Sequence, residues 1–376
     1  MELIITTAVI CVVILLLMQQ TRWYGSGLNG LTGSRWRYSK FLIFAFWFTL
    51  TFVTAFREGF QDTGIYKNLY RAIGTDYADA FDKSFVIQDY GFNLFMVFLN
   101  RISSESQLLI AVSAVAILAA YVWVIVKYSS DLPFSLLLML FVAFITTMNG
   151  IRQVLAGAMM ALAWFCLWER KMIPFMLTVL LASTFHASAI VMIPLYFVVS
   201  GKRYNIGVLL FSLFVLGCFI FPDTAFRAMG RLLEDSVYEE YLENEAKMGL
   251  MRLLVELIPV LVSYAYHVLC RNGRIRMGDS EADRRYQRMI DVLINMQVIS
   301  LGFTAMGLQM VYFARISMYF ALVLPLLLPV TIRGVFDRRS AMLVKRLAIV
   351  MYGFYFAYQV YTYQMIDNWG GMELIF

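Results

Sequence analysis

The sequence predicts an all-α polytopic integral membrane protein with about twelve transmembrane helices, eleven to thirteen by the same criterion. Three observations predict it. Of 376 residues, 61% are hydrophobic and only 15% are charged, and the mean hydropathy is +0.71, a balance foreign to a water-soluble domain of this length. The apolar residues gather in helix-length runs without two-residue alternation. Because backbone N–H and C=O groups find no water in lipid, such runs favour helices over a β-barrel. Finally, the basic residues cluster in alternate loops, as a chain threaded through a bilayer requires.

The first span, 3–19, opens on Met-Glu-Leu-Ile-Ile without the basic leader or small-residue cleavage site of a signal peptide, so it is expected to be retained. Gly25, Gly27, Gly30 and Gly33 predict a flexible loop before the second span, 41–56. Apolar runs at 107–127, 132–148 and 153–168 follow. The stretch 172–199 exceeds the roughly 20 residues of one span and holds a single strong polar group, His186. Two short helices, 172–184 and 187–200, are expected to meet at that histidine, on a turn at a membrane surface. Spans at 206–221, 250–270, 289–312, 315–332 and 345–364 complete the set. The apolar segment 91–104 is too short to cross and is expected to be an interfacial or re-entrant helix. The whole chain, 1–376, thus reads as one transmembrane domain with two long loops, 57–106 and 222–249. Cys11, Cys166, Cys218 and Cys270 lie in or beside apolar runs and read as small core residues.

With 91–104 left out of the count, the loops rich in Lys and Arg, from Arg22–Lys40 through Arg170–Lys171 and Arg271–Arg288 to Arg333–Arg346, fall on one side, which the positive-inside rule makes cytoplasmic. The two long loops fall on the other side, and 222–249 is acidic in balance. The net charge of +6 is therefore an orientation signal and gives no argument for nucleic acid.

Polar groups at outer helix ends then come from four separate turns: Arg57, Glu58, Asp62 and Tyr66; Asn149, Arg152 and Gln153; His186 and Ser188; Arg315 and Tyr319. Arginine near a bilayer costs a few kcal/mol and persists where it pairs or faces a wet cavity, so three arginines and a histidine at one level suggest an anion site. Each has a plainer reading beside it. Arg57 and Arg152 can snorkel to headgroups, His186 can cap backbone carbonyls, and Asp62 can start a surface helix. His267 reads as structural, Asp291 and Asn295 as partners of the basic loop, and Trp23, Trp36, Trp123, Trp168, Tyr196, Tyr355, Tyr358 and Trp369 as interfacial belts. Neither a Gly-rich phosphate loop nor a paired Cys/His zinc spacing occurs in the sequence. No metal and no cofactor are expected.

Phe-Arg-x-x-x-x-Asp-Thr-x-x-Tyr at 56–66, Asp-Tyr-Gly-Phe at 89–92, Asn-Gly-Ile-Arg-Gln at 149–153, Thr-Phe-His-Ala-Ser-Ala at 184–189 and Arg-x-x-x-Tyr-Phe at 315–320 together resemble the EpsG family of Wzy-type polysaccharide polymerases, whose products are O-antigen, capsule or exopolysaccharide. Two departures stand out: members often show Gly-x-Asp-Tyr where this chain has Phe60-Gln61-Asp62-Thr63, and Asp89 stands where a glutamate is common.

The resemblance implies a GT-C-like inner-membrane enzyme of the bacterial cytoplasmic membrane that joins undecaprenyl-diphosphate-linked oligosaccharides on the outer face. Membrane lipids and a chain-length regulator are the other implied partners. Arg57, Arg152 and Arg315 would hold the diphosphate bidentately without a divalent metal. Catalysis would fall to Arg152 with His186 or Asp62, the two candidates for the base that takes the acceptor proton. Gln153, Asn149, Tyr66, Tyr319, Asp89 and Ser188 would contact substrate, while segment 81–106 and an acidic 234–245 helix would shape the saccharide groove. An O-antigen-ligase-like transferase shares this chemistry with a different acceptor. A transporter or flippase would instead place polar groups at the midplane of internally repeated halves, and no repeat is evident in the sequence. A structural scaffold would leave glycan length indifferent to Arg152 and His186.

Overall fold

The computed structural model describes residues 2–29, 34–60, 62–82, 85, 88–221, 249–275 and 278–363. The acidic loop 222–249, except for Gly249, and the expected 234–245 helix lie outside them, as do Gln61 and Trp369.

The first helix is α1 (Glu2–Gln20). Where a flexible glycine loop is expected, a short antiparallel hairpin forms instead, β1 (Trp23–Asn29) on β2 (Ser34–Arg37), with Trp23 opposite Arg37. Then follow α2 (Lys40–Ala55), the amphipathic α3 (Thr63–Ala72), a 3₁₀ turn (Tyr77–Phe81), α4 (Tyr90–Asn100), α5 (Gln107–Tyr128) and α6 (Leu132–Val142). Proline in the first turn of α6 suits its start, since the missing N–H would be unpaired there. The expected 132–148 span stops at Val142 and gives way to a 3₁₀ turn, Ile145–Met148. α7 (Ile151–Ala163) and α8 (Phe165–Trp168) run on as one span.

As expected, the 172–199 stretch breaks at His186, giving α9 (Met172–Phe185), a 3₁₀ turn (Ala187–Val191) and α10 (Met192–Val199). α11 (Ile206–Ile220) is started by Asn205, whose side chain accepts from the N–H groups of Gly207 and Val208. α12 (Leu250–Arg271) and α13 (Glu281–Met306) are the long central pair, with Ser280 capping the second. The expected 315–332 helix is a bent pair: α14 (Val311–Ile316) with its 3₁₀ extension to Phe320, then α15 (Val323–Val335), at 62°. α16 (Arg338–Tyr361), capped by Asp337, ends the described chain.

Six of these helices are long and apolar enough to cross a bilayer, seven with the bent pair, and six more are apolar but shorter. The chain is thus a helical, polytopic membrane protein. Its core follows α5, α6, α7 and α13, with Trp164, Trp168, Phe144 and Tyr352 fully buried. α11 leaves Leu209, Leu210, Leu213, Phe214 and Leu216 exposed, the apolar outer surface that lipid would cover. α13 fastens the 199–204 turn by polar contacts: Asn295, fully buried, donates to the carbonyls of Val199, Gly201 and Lys202, and Asp291 pairs with Arg203 at 3.5 Å. Asp291 therefore pairs with Arg203 of the 202–203 loop, and from the Arg271–Arg288 segment it accepts a hydrogen bond from Gln287 at 2.7 Å. His267 packs edge-on to Tyr204, ring centroids 5.1 Å apart, the structural place expected of it.

Two local features set the position of the polar groups. Gly91, at the start of α4, lies so close to α9 that a Cβ there would overlap Thr184, and this contact brings Asp89 up to the break at His186. In the loop after α2, Phe60 has φ +125°, a region that excludes almost everything but glycine. Its carbonyl accepts from Thr63 N–H and Oγ1, and its ring is buried. Phe60→Ala loses the ring and keeps the Cβ penalty, whereas Phe60→Gly loses both. Glycine is therefore expected to be the more stable of the two variants by about 1 kcal/mol, the reverse of the usual order, read as thermal unfolding of the purified protein in detergent.

Candidate active site

Asp62, Tyr66, Asn149, Arg152, Gln153, His186 and Arg315, drawn from all four turns marked in the sequence, line one cavity of about 580 Å³. The start of α3 brings the first two, the turn into α7 and its first residues the next three, the α9–α10 break the histidine and α14 the last. Among the described residues, the cavity wall carries three guanidinium groups, on Arg152, Arg252 and Arg315, against one carboxylate, on Asp62. The first turn of α7 also opens onto it, with the partial positive charge of a helix start. Charge of this sign suits an anionic ligand.

Asp89 organises the wall from behind. One of its oxygens, Oδ2, meets Arg152 Nη1 at 2.5 Å and lies 3.5 Å from His186 Nδ1, and the other accepts the Ala187 N–H at 3.3 Å. The same carboxylate therefore bonds the guanidinium and the backbone of the break, and stands beside the imidazole. His186 is the C-cap of α9, in extended conformation. Its Nδ1 is buried against Asp89, short of hydrogen-bond alignment, which leaves Nε2 as the ring nitrogen for a ligand. Tyr66 OH takes a long contact from Arg152 Nε, 3.5 Å, and its ring stands edge-on to Phe92.

Asp62 has a different place. Its Oδ2 accepts the Gly150 N–H at 2.6 Å, holding the left-handed residue (φ +69°) at which α7 begins. Its Oδ1 is buried without a hydrogen-bond partner among the described residues. Burial pushes the carboxyl above its ordinary pKa, opposed by the Gly150 N–H and by the charges of Arg57 and Arg315. Gln153 spends its amide on the Arg315 carbonyl, at 2.7 Å, tying α7 to α14.

Four expected contacts lie off the wall: Asp89 behind it, and Arg57, Ser188 and Tyr319. Arg57 is 1% exposed and outside the cavity wall. Its Nε donates to Thr63 Oγ1 at 2.8 Å and its Nη1 to the Thr54 carbonyl at 2.6 Å, and burial pushes its pKa down to about 10. This arginine is a clamp on the loop that carries Asp62, because the chain folds back over it. Ser188 and Tyr319 are buried and bonded to each other, Oγ to OH at 2.9 Å, below the wall. Conversely, Tyr355 and Tyr358, expected in an interfacial belt, line the cavity, and so does Arg252, which sequence reading missed. Its signal was available: it follows the acidic loop at the same end as the other polar groups, three residues into α12. Among the described residues, no group of three or more His, Cys, Asp or Glu stands together.

The described helices are those of a multi-pass membrane protein, with a cationic cavity between their ends. The sequence model of the EpsG family matches residues 40–370, and the chain belongs to that family. Membership places it among membrane proteins of the polysaccharide-polymerase type. No curated protein and no solved structure matches it.

Asp62→Ala leaves the Gly150 N–H without its acceptor and is expected to cost about 1–3 kcal/mol. Asp62→Asn, whose amide oxygen can replace Oδ2, is expected to unfold near the wild-type temperature in a detergent melt.

Proposed function

We propose that the protein is a glycosyltransferase that polymerises undecaprenyl-diphosphate-linked oligosaccharide repeat units into surface polysaccharide on the outer face of the bacterial cytoplasmic membrane. The observation that carries this reading is the Asp89 carboxylate shared by Arg152 and His186 on a cavity that also presents Arg315. Arg152 and Arg315 bind the donor's diphosphate, and the acceptor sugar's hydroxyl approaches His186. Nε2 takes the hydroxyl proton as the oxygen bonds to the anomeric carbon, and the bond from that carbon to the diphosphate breaks. The guanidinium groups stabilise the charge that gathers on the leaving diphosphate. Asp89 fixes the imidazole by its Nδ1 side and accommodates the imidazolium that forms. Asp62, with one oxygen committed to Gly150 and the other enclosed, positions the start of α7, and His186 is the better base. Asn149, Gln153 and Tyr66 border the substrate, and Arg57, Ser188 and Tyr319 support it from below.

In this reading the bent pair, and every shorter apolar helix except Tyr90–Asn100, join the six long helices as twelve crossings of a GT-C-like bundle, with residues 57–106 as an outer segment; by length and hydropathy alone six or seven qualify. Purified protein given lipid-linked repeat units, with chelator and without nucleotide sugar, is expected to produce a ladder on a gel. Arg152→Ala and His186→Ala are expected to lower the rate by about 10²- to 10⁴-fold, and Asp62→Asn by less than about tenfold. A ladder that appears only with nucleotide sugar defeats the assignment, and a dead Asp62→Asn with an active His186→Ala exchanges the two roles.

A further inference from the structure

Beside the cavity lies a second polar cluster that the mechanism above does not use. Arg252 and Glu256, one turn apart on α12, approach to 3.4 Å. Both carboxylate oxygens of Glu256 are held independently from α13: Oε2 accepts from Ser300 at 2.8 Å and Oε1 from Thr304 at 3.0 Å. Arg252 is in turn anchored through Nη2 to Ser317 Oγ at 2.6 Å. Its Nη1 has no protein acceptor among the described residues, and a quarter of the side chain is exposed, on the wall of the cavity. Behind it a recess of about 40 Å³ opens off the same wall, where Gln297 Oε1, in a side chain 1% exposed, lacks a donor among the described residues. A guanidinium held from two sides, with N–H groups left over, beside an enclosed acceptor without a donor, is prepared for a ligand that carries both anionic oxygens and hydroxyls.

We propose that Arg252 is an anion-binding residue of the cavity, contacting a phosphate oxygen of the lipid diphosphate, and that Glu256 is its positioning residue. This rests on the reading of the cavity as a lipid-diphosphate site. Glu256 does two things. It aims the guanidinium, and by offsetting its charge it keeps the anion from being held too tightly to leave, since a carboxylate at this distance opposes an anion strongly in a site of low dielectric. Removing Arg252 therefore weakens binding, and removing only the charge of Glu256 strengthens it. A purely structural pair would do neither.

The test is the dissociation constant of undecaprenyl diphosphate on the purified full chain in detergent, with Arg338→Gln, at the end of α16 opposite the cavity-lining Tyr355 and Tyr358, as control. Arg252→Gln is expected to weaken binding about tenfold or more. Glu256→Gln, whose amide oxygen still accepts from Ser300 or Thr304, is expected to tighten it several-fold and to slow its release. The double variant, neutral and still polar, is expected to bind like Arg252→Gln and keeps the test open if the single change misfolds. Wild type that fails to bind the lipid sinks the proposed function and this subsite with it. Wild type that binds, with Arg252→Gln unchanged or Glu256→Gln weakened, sinks the subsite alone. Displacement of the lipid by equimolar phosphatidylglycerol would assign Arg252 to ordinary membrane lipid and overturn it too.

Discussion

One carboxylate, on Asp89, joins segments that share no sequence neighbourhood. It stands at the start of α4 and reaches Arg152 of α7 across 63 residues and the backbone of Ala187, after α9, across 98. Take it away and a guanidinium in the first turn of a buried helix loses its counter-charge, the imidazole loses the carboxylate 3.5 Å from its Nδ1, and the N–H at the break loses its acceptor. Gly91, two residues on, lets α4 come close enough to α9 for those contacts to form. The wall of the cavity depends on this short stretch more than on any apolar contact.

Stability by itself gives little reason for such an arrangement. Partly buried ion pairs rarely repay the cost of taking charge out of water, and apolar side chains of similar volume often do as well. Here the charges sit in pairs whose members differ in exposure: Arg152 is more open than Asp89, and Arg252 more open than Glu256. In each pair the cation faces the cavity and the carboxylate stays behind. That asymmetry presents positive charge to a ligand while keeping the protein interior close to neutral. Asp62 departs from the pattern because its task is to hold the Gly150 turn.

The four turns were legible because bilayer chemistry makes polar groups conspicuous: His186 interrupts an apolar stretch, and Asn149, Arg152 and Gln153 sit together between two spans. What each side chain does once there was less legible. Arg57 and Arg152 look alike as interfacial arginines, but the loop through the strained Phe60 folds over Arg57 and encloses it, whereas α7 projects Arg152 outward. Tyr355 and Tyr358 have the composition of an interfacial belt, and only the packing of α16 against α6 turns them toward the cavity. Arg252 escaped notice because it follows a long loop and precedes a strongly apolar run.

Taken alone, the sequence determined that the chain is helical and polytopic, the order of most helices, the break at His186 and the set of turns that gather polar groups. Those features follow from local hydropathy and from the cost of unpaired backbone in lipid, which act over a turn or a span. The tertiary structure alone decided which face each helix presents and hence which arginines meet. Several helices, α6 and α11 among them, are apolar on every side, so no pattern along them says which side is inward. Contacts such as Gln153 to Arg315, 162 residues apart, are fixed by packing, where shape and charge across the bundle select one rotation of each helix from several that hydropathy permits equally.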